Sequence, residues 1–467
     1  MAIVHLGCVS LQVERRDSRQ AFLEELWRQM EEAVRQVVTR CIEEALEEEV
    51  TALLERGWYE RRKVGQWRRI RARCRRCGSQ YAQDFRRDGH YPRHLDTRWG
   101  RLLIWVPQVE CVCGGKVRVP FQTLRCGQRI WDDLEGEIRE RYGWGMSLRW
   151  LKECLDARLR SDLGLRTLNE RVRKMAWLVP RWHKRVLDDV PPVVQVDGIW
   201  VTLMVDTGKQ QKDQLGRQRA VKEAQKVPIL VAQGVWPASG RREVVAWEIG
   251  CAEDEGSWEA LLTQMSERGI VPERGLRLLI GDGAAGLTPA RHTVYWDVPF
   301  QRCVFHKLRN LWRALVLPEG LEGKEAHAYK RRFIRHAARI WQASDEQQAR
   351  QRQRRFCEKW EQEQAAAVGK LRQDFEDTLT FYHTQAAAAL RGQEWPAHHL
   401  RTISPLEREL RAFRRRLSGA VLFHSTTGLM AVVHQLLIRR AAGRAGAAPG
   451  SWRTALEHAL AEVHRIS

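Results

Sequence analysis

The thirteen residues from Val193 to Val205, VVQVDGIWVTLMV, are apolar at most positions and carry one carboxylate, Asp197, in their middle. A run of this kind reads as a strand covered on both faces. A lone carboxylate inside it costs several kcal/mol unless it is paired or binds a cation, and no Lys or Arg lies within the run to pair with it. A second apolar stretch, Leu276 to Ile280, reads as a short buried strand and ends at Gly281-Asp282-Gly283. Its two glycines let the backbone turn sharply and leave the Asp282 carboxylate uncovered at the carboxyl end of the strand, where open α/β sheets gather their ligands. Alone, an Asp-Gly pair is a common turn with a solvated acid. Two strand-borne carboxylates together point to a cation site.

Hard divalent cations such as Mg²⁺ take oxygen ligands and few of them from protein. Two such ions held close together activate a nucleophile and stabilise a leaving oxygen in phosphoryl transfer. The composition fits a polyanionic partner. The 467 residues hold 79 Lys+Arg against 58 Asp+Glu, a net charge of +21, with a pI near 9.9, and such an excess favours nucleic acid. A membrane is disfavoured, because no stretch approaches the roughly 18 apolar residues of a spanning helix.

The eleven cysteines are odd in number and partly clustered. Met1 to Val13 lacks the basic start of a secretory signal, so a reduced, cytoplasmic setting is expected, in which clustered Cys serve metals rather than disulfides. Cys74-Arg75-Arg76-Cys77-Gly78 and Cys111-Val112-Cys113-Gly114-Gly115 are two Cys pairs, each followed by Gly. Such pairs on successive hairpins commonly hold structural Zn²⁺. Thirty-four positions separate Cys77 from Cys111 and the second pair is C-x-C, so unliganded thiols stay the alternative. Cys126, His90 and His94 are spare candidates.

Around these motifs the chain divides into segments. Residues 1–57 are mainly a long helix, Ser18 to Leu54, that either packs on its own domain or serves dimerisation. Residues 58–130 are β-rich and zinc-ribbon-like. Residues 131–185 carry three short helices around a Gly turn, which fits a helix-turn-helix. The third, Leu165 to Trp177, presents Arg166, Asn169, Arg171, Arg173 and Lys174, types that contact phosphates and base edges. An ordinary three-helix module with a basic face is the competing reading. Beyond the Asp197 strand, Gly208 to Ala224 is a polar, mobile hairpin, Val227 to Trp236 and Glu243 to Ile249 are strands, and Glu255 to Arg268 is a helix. Residues 312–399 are almost wholly helix-forming, and their Trp341, Trp360 and Trp395 read as core residues before they read as platforms for flipped bases. Residues 441–467 are a linker and tail.

Taken in order, VDGIWV, REVVAWEIG, EGSWEALLTQMSERGI, LLIGDGAAGL and QRCVFHKLRNL resemble the catalytic core of Mutator-type insertion-sequence transposases of bacteria. GMSLRWLKECL and LRTLNERVRK resemble the family's segment ahead of that core. The resemblance implies a multidomain α/β protein with an RNase H-like catalytic core, 190–311 and 400–440, split by an all-helical insertion. It implies a DDE enzyme that binds terminal inverted repeats and target DNA, as a homodimer associated with the nucleoid when bound, and cleaves and joins strands with Mg²⁺ or Mn²⁺, two ions per site. Asp197 and Asp282 match the two family aspartates, and Cys303 and His306 match its Cys-x-x-His signature. The third acid falls at Glu407, after Thr402-Ile403-Ser404-Pro405-Leu406; Glu409 is its competitor, and helical geometry does not separate the two. A catalytically inactive DNA-binding relative and an RNase H-like nuclease without strand transfer are the alternative functions.

Overall fold

The computed structural model describes residues 2–6, 9–13, 19–60, 67–144, 146–159, 163–212, 214–418 and 422–444. The chain divides into two compact units, Met1–Val172 and Arg173–Ser467.

The first unit opens with a short hairpin, β1 (Ala2–Leu6) and β2 (Val9–Val13), followed by a 36-residue helix, α1 (Arg19–Leu54). Strands β3 (Arg73–Cys74), β4 (Phe85–Thr97), β5 (Gly100–Cys111) and β6 (Lys116–Arg118) form an antiparallel sheet in the order β3-β6-β5-β4. The second half of α1 lies on this sheet. Ile42 and Leu46 pack with Leu95, Leu102, Ile104 and Val106, and Val50 and Leu54 pack with Phe85 and Val109. The glutamates of that half are anchors. Glu43 accepts the Trp105 N–H at 2.7 Å, Glu49 accepts those of Gln122 and Thr123, and Glu47 pairs with Arg87 and His90. Nearer its start, α1 leaves Leu23, Trp27 and Val37 exposed.

Three helices, α2 (Asp132–Gly143), α3 (Leu148–Leu159) and α4 (Leu165–Arg173), close this unit around Leu134, Ile138, Leu151, Leu155, Leu168 and Val172. The expected third helix, Leu165 to Trp177, is shorter: α4 ends at Arg173, and residues 174–178 form a 3₁₀ turn. Met175, Ala176 and Leu178 are buried there, and this burial belongs to the second unit, so the helix stops where the chain changes core.

The second unit begins with the short helix α5 (Val179–Lys184) and a five-stranded sheet. Strands β7 (Val193–Lys212), β8 (Gln218–Trp236) and β9 (Arg241–Ile249) are antiparallel neighbours. After α6 (Glu255–Glu267) the chain adds β10 (Leu278–Gly281) parallel to β7, then α7 (Leu287–Val294) and β11 (Phe300–Arg302) parallel to β10, giving the order β11-β10-β7-β8-β9. The polar Gly208–Ala224 stretch is drawn into β7 and β8, whose paired ribbon runs out to Lys212 and Gln218. Val194 and Val196 face a core shared with Trp258, Leu261, Leu262 and Met265 of α6 and with Leu287 and Ala290 of α7. Alternation along a strand then turns Gln195 and Asp197 to the opposite face.

Helix α8 (Val304–Ala314) leads into the helices α9 (Gly323–Ala338), α10 (Glu346–Trp360), α11 (Ala365–Arg372), α12 (Thr380–Ala389) and α13 (Ala397–Leu400). Trp341, Trp360 and Trp395 are buried among them. The chain returns to the sheet through α14 (Ser404–Ser418), which packs against β7, and α15 (Thr426–Arg444). Residue 423 pairs with the upper part of β7: Phe423 N–H donates to Thr202 O and Met204 N–H to Phe423 O. The expected tail lies outside the described residues from 445 onward. No described helix is long and apolar enough to cross a membrane.

Candidate active site

The site starts from the register of two parallel strands. Leu278 pairs with Val193, Leu279 with Val194 and Ile280 with Gln195. Asp197 lies two residues beyond the last of these pairs on β7 and Asp282 two residues beyond it on the β10 side, just past the strand's end, so both acids leave the ladder at the same end and the Asp282 charge acts on Asp197. Both carboxylates fold back on their own backbone, Asp197 accepting the Gly198 N–H at 2.9 Å and Asp282 the Ala284 N–H at 2.8 Å.

Glu407 stands in the first turn of α14, where a carboxylate is favoured by the helix dipole. The segment ahead of it is pinned by buried polar groups. The Gln195 amide donates to Thr402 O at 3.0 Å, Ile403 N–H donates to Cys303 Sγ at 3.3 Å, and Val304 N–H donates to Arg401 O at 3.0 Å. Gln195, two residues before Asp197, thus ties the α14 approach to the strand that carries Asp197. Gln301 does the same for the helical insertion, donating to Thr378 O and accepting the Phe381 N–H. His306 lies 3.1 Å from Glu407 through Nε2, and Arg309 lies 3.9 Å from the same oxygen. Glu409 is buried.

The electrostatics agree. Burial, reinforced by the Asp282 and Glu407 charges and opposed by the Gly198 N–H and His306, pushes the Asp197 carboxyl up to about 7. Burial alone would lower the His306 imidazole, but hydrogen bonds to Cys303 and Glu407 push it up to about 10. His306 is therefore held protonated through neutral pH, between Cys303 and Glu407.

Sequence reasoning missed Glu253. It lies just before α6, whose N-cap Asp254 accepts the Ser257 N–H at 2.9 Å. Burial and then the Asp282 charge raise the Glu253 carboxyl, against a hydrogen bond with Trp200. A Cβ at Gly198 would lie 2.7 Å from Glu253 Oε1, so the glycine after Asp197 is the space this carboxylate occupies. The Asp-Gly pair at 197–198 is the signal that bears on it.

The four cysteines converge in the first unit. Cys74 Sγ lies 3.6 Å from Cys113 Sγ, Cys77 Sγ lies 3.6 Å from Cys111 Sγ, and all four fall within 4.8 Å of one another. Among the described residues no other group of three or more Cys, His, Asp or Glu is gathered so tightly. Tetrahedral Zn–S bonds of about 2.3 Å require sulfurs about 3.8 Å apart, so the quartet has the size of such a centre. Gly78 and Gly114, each at φ +76, turn the two knuckles. His90 is engaged by Glu47, and Cys126 is exposed.

On α4, Arg166, Asn169 and Arg173 are exposed. Arg166 pairs with Glu170, whereas Arg171 lies 3.4 Å from Glu135, which also holds the buried Arg139. Arg171 therefore takes part in packing the three helices together.

Residues 11–442 match the sequence profile of the Mutator family of transposases. The chain belongs to that family. The transposase is 27% identical over 352 residues to the transposase for insertion sequence element IS406 of Burkholderia multivorans, covering 75% of this chain and 80% of that one. It is 31% identical over 243 residues to the transposase for IS6120 of Mycolicibacterium smegmatis, covering 52% of this chain and 68% of that one. Among solved structures it is similar to the Drosophila P element transposase strand transfer complex at a TM-score of 0.39 and 8% identity, over 66% of this chain and 92% of that one. A match at that level carries no weight for fold or chemistry. The protein is a DNA transposase, an enzyme of DNA cleavage and strand transfer.

Proposed function

We propose that the transposase cuts and joins DNA at Asp197, Asp282 and Glu407, carried on an RNase H-like core of 190–311 and 400–440 that the helical insertion 312–399 interrupts. The observation that carries this reading is that Asp197 and Asp282 leave the paired strands β7 and β10 at the same end, with the Asp282 and Glu407 charges acting on Asp197 and Glu407 engaged by His306. The strand order supports the RNase H-like assignment: three antiparallel strands, then two parallel ones added at the free edge of the first.

The residues fit divalent cations. Asp197 is a poorly solvated carboxylate with a neighbour's N–H as its hydrogen-bond partner and two acids acting on it. Mg²⁺ or Mn²⁺, two ions per site, would activate the attacking oxygen and stabilise the leaving one. Asp197 must lose its proton to serve as a ligand. His306, charged and buried, orients Glu407 and offsets part of the negative charge. Water attacking a phosphodiester breaks one P–O bond and frees a 3′-hydroxyl, and attack by that hydroxyl on target DNA makes the new bond as another breaks.

We assign terminal-repeat recognition to the helices of 131–185, through Arg166, Asn169, Arg173 and Lys174, with Arg171 as a buttress that also reaches the DNA side. One Zn²⁺ is assigned to Cys74, Cys77, Cys111 and Cys113, which keep the 58–130 segment folded. The exposed Leu23, Trp27 and Val37 are the surface proposed for pairing α1 with that of a second copy. A reduced cytoplasmic setting completes the proposal.

The metal assignment is tested by replacing Mg²⁺ with Fe²⁺ and adding ascorbate, so that radicals cut the polypeptide next to the bound ion. Cuts near residues 197, 282 and 407 are expected. Cuts elsewhere, with none near these three, would refute the assignment.

A further inference from the structure

The helical insertion carries a set of cations that the fold does not neutralise. Where its arginines meet acids they pair: Arg350 with Glu346 at 2.6 Å and Glu376 at 2.5 Å, and Arg372 with Glu361. Arg332, Arg335, Arg339 and Lys359 behave differently. They line one concavity of about 420 Å³ between the end of α9 and the end of α10, and Glu363 is the single acid on its wall. None of the four forms an ion pair among the described residues. Arg335 Nε reaches only the Arg331 carbonyl, at 3.4 Å.

The floor of the concavity is built. Trp360 is buried, its indole N–H donates to His336 Nδ1 at 2.8 Å, and the Arg332 guanidinium and Lys359 ammonium stand 5.7 and 5.9 Å from its ring centroid. Arg332 and Arg335 of α9 and Arg339, which caps it in helical conformation, share a face by their spacing of three and four residues. The C-terminal ends of helices attract cations, but that effect asks for one or two at each such end and gives no reason for four to converge unpaired.

We propose that this concavity grips phosphates of the DNA backbone without reading sequence. Four unpaired cations are complementary to a row of phosphodiesters, and no Asn, Gln, Ser or Thr lines the cavity to address base edges. The inference rests on the DNA transposase function and extends it: the insertion adds affinity for any duplex, terminal repeat, flank or target alike.

The test uses the full-length protein and fluorescence anisotropy with two labelled duplexes, one from the ends of the element and one of random sequence, across a KCl series. Each lost phosphate contact flattens the plot of log affinity against log salt by about 0.9. The Arg332→Ala/Arg335→Ala/Arg339→Ala variant should therefore have a slope shallower by about 2 to 3 and lose affinity for both duplexes by the same factor. Arg350→Ala, which removes a paired arginine, should leave the slope unchanged. Arg335→Glu is the single-site substitute if the triple variant loses its far-UV circular dichroism. An unchanged slope in a folded variant, or a loss confined to the terminal repeat, would overturn the proposal. So would pyrophosphate binding to the wild-type protein with an unchanged DNA slope in the variant, which would mark a site for free nucleotides. Cleavage of pre-bound DNA at low salt separates the two claims. A variant that cleaves with an unaltered slope ends this inference alone, while a wild-type protein that never cleaves ends the catalytic reading.

Discussion

Replacing Asp197 by Asn should stabilise the metal-free protein at alkaline pH. In the folded chain burial holds the Asp197 carboxyl at about 7, against 3.8 without the fold. A pKa unit corresponds to about 1.36 kcal/mol, so ionising this side chain in place costs about 4 kcal/mol. The sign follows from proton counting. Between about pH 4 and pH 7 the folded state holds a proton that the unfolded state has released, so this group's contribution to stability falls as pH rises through that window. Asn mimics the protonated acid and keeps an oxygen for the Gly198 N–H, so it removes the dependence. The gain should be about 4 kcal/mol at about pH 8.5, shrink to under about 2 kcal/mol at about pH 5, and vanish near pH 3.8. Urea unfolding of wild type and variant in EDTA reads it. With an m-value of about 3 kcal/mol/M, the midpoint of the second unit should rise by about 1 M or slightly more at the alkaline pH. Mg²⁺ should raise the wild-type midpoint at that pH and leave the variant's unmoved. A midpoint that is unchanged or lower in the variant at alkaline pH, or a gain of equal size at about pH 5, would refute the assignment of Asp197 as a poorly solvated carboxylate awaiting a cation.

Other consequences are as direct. Glu407→Gln should abolish strand cleavage with duplex binding intact, measured by gel and by anisotropy, and Glu409→Gln should keep both; cleavage by the first variant would move the third acid elsewhere. Glu253→Gln should raise the Mg²⁺ concentration for half-maximal cleavage by about tenfold or more, as loss of a supporting ligand-shell group does, and an unchanged Mg²⁺ titration would leave Glu253 outside the site. Purified protein should carry about one Zn²⁺ per chain by elemental analysis, Cys111→Ser should lose it and lower the melting temperature of the first unit, and metal-free wild type with the same melting curve would remove zinc from the account.

The two aspartates were legible because Asp197 interrupts an apolar strand, where an unpaired charge has few physical explanations, and Asp282 stands in a Gly-flanked turn at the end of another. Their adjacency was not, since it depends on the register between β7 and β10, which no local pattern encodes. Glu407 could be named only through the family resemblance: helical spacing treats it and Glu409 alike, and the contact of Glu407 with His306 is made across 101 positions of chain. Gln195, Gln301 and Glu253 went unread. An amide in a strand looks neutral, and a glutamate ahead of a helix looks like a first-turn acid until the fold sets it against Gly198. The sequence carries no mark of what the glutamates of α1 hold, which is set by the backbone N–H groups of Trp105, Gln122 and Thr123. Arg171 read as a DNA contact because its helix is basic, and Glu135, thirty-six positions earlier, supplies a partner that only packing reveals. Strand β11, three residues long, is too short for a periodic signal to build up.

The central claim is that the three carboxylates carry DNA strand transfer. It is tested by incubating the protein with a labelled duplex from the end of its element, a supercoiled target plasmid and Mg²⁺, beside Asp282→Asn bound to the same duplex at equal occupancy. The account predicts cleavage at the element's end and joined plasmid product for the wild type, and neither for the variant. Cleaved and joined product from Asp282→Asn would contradict it.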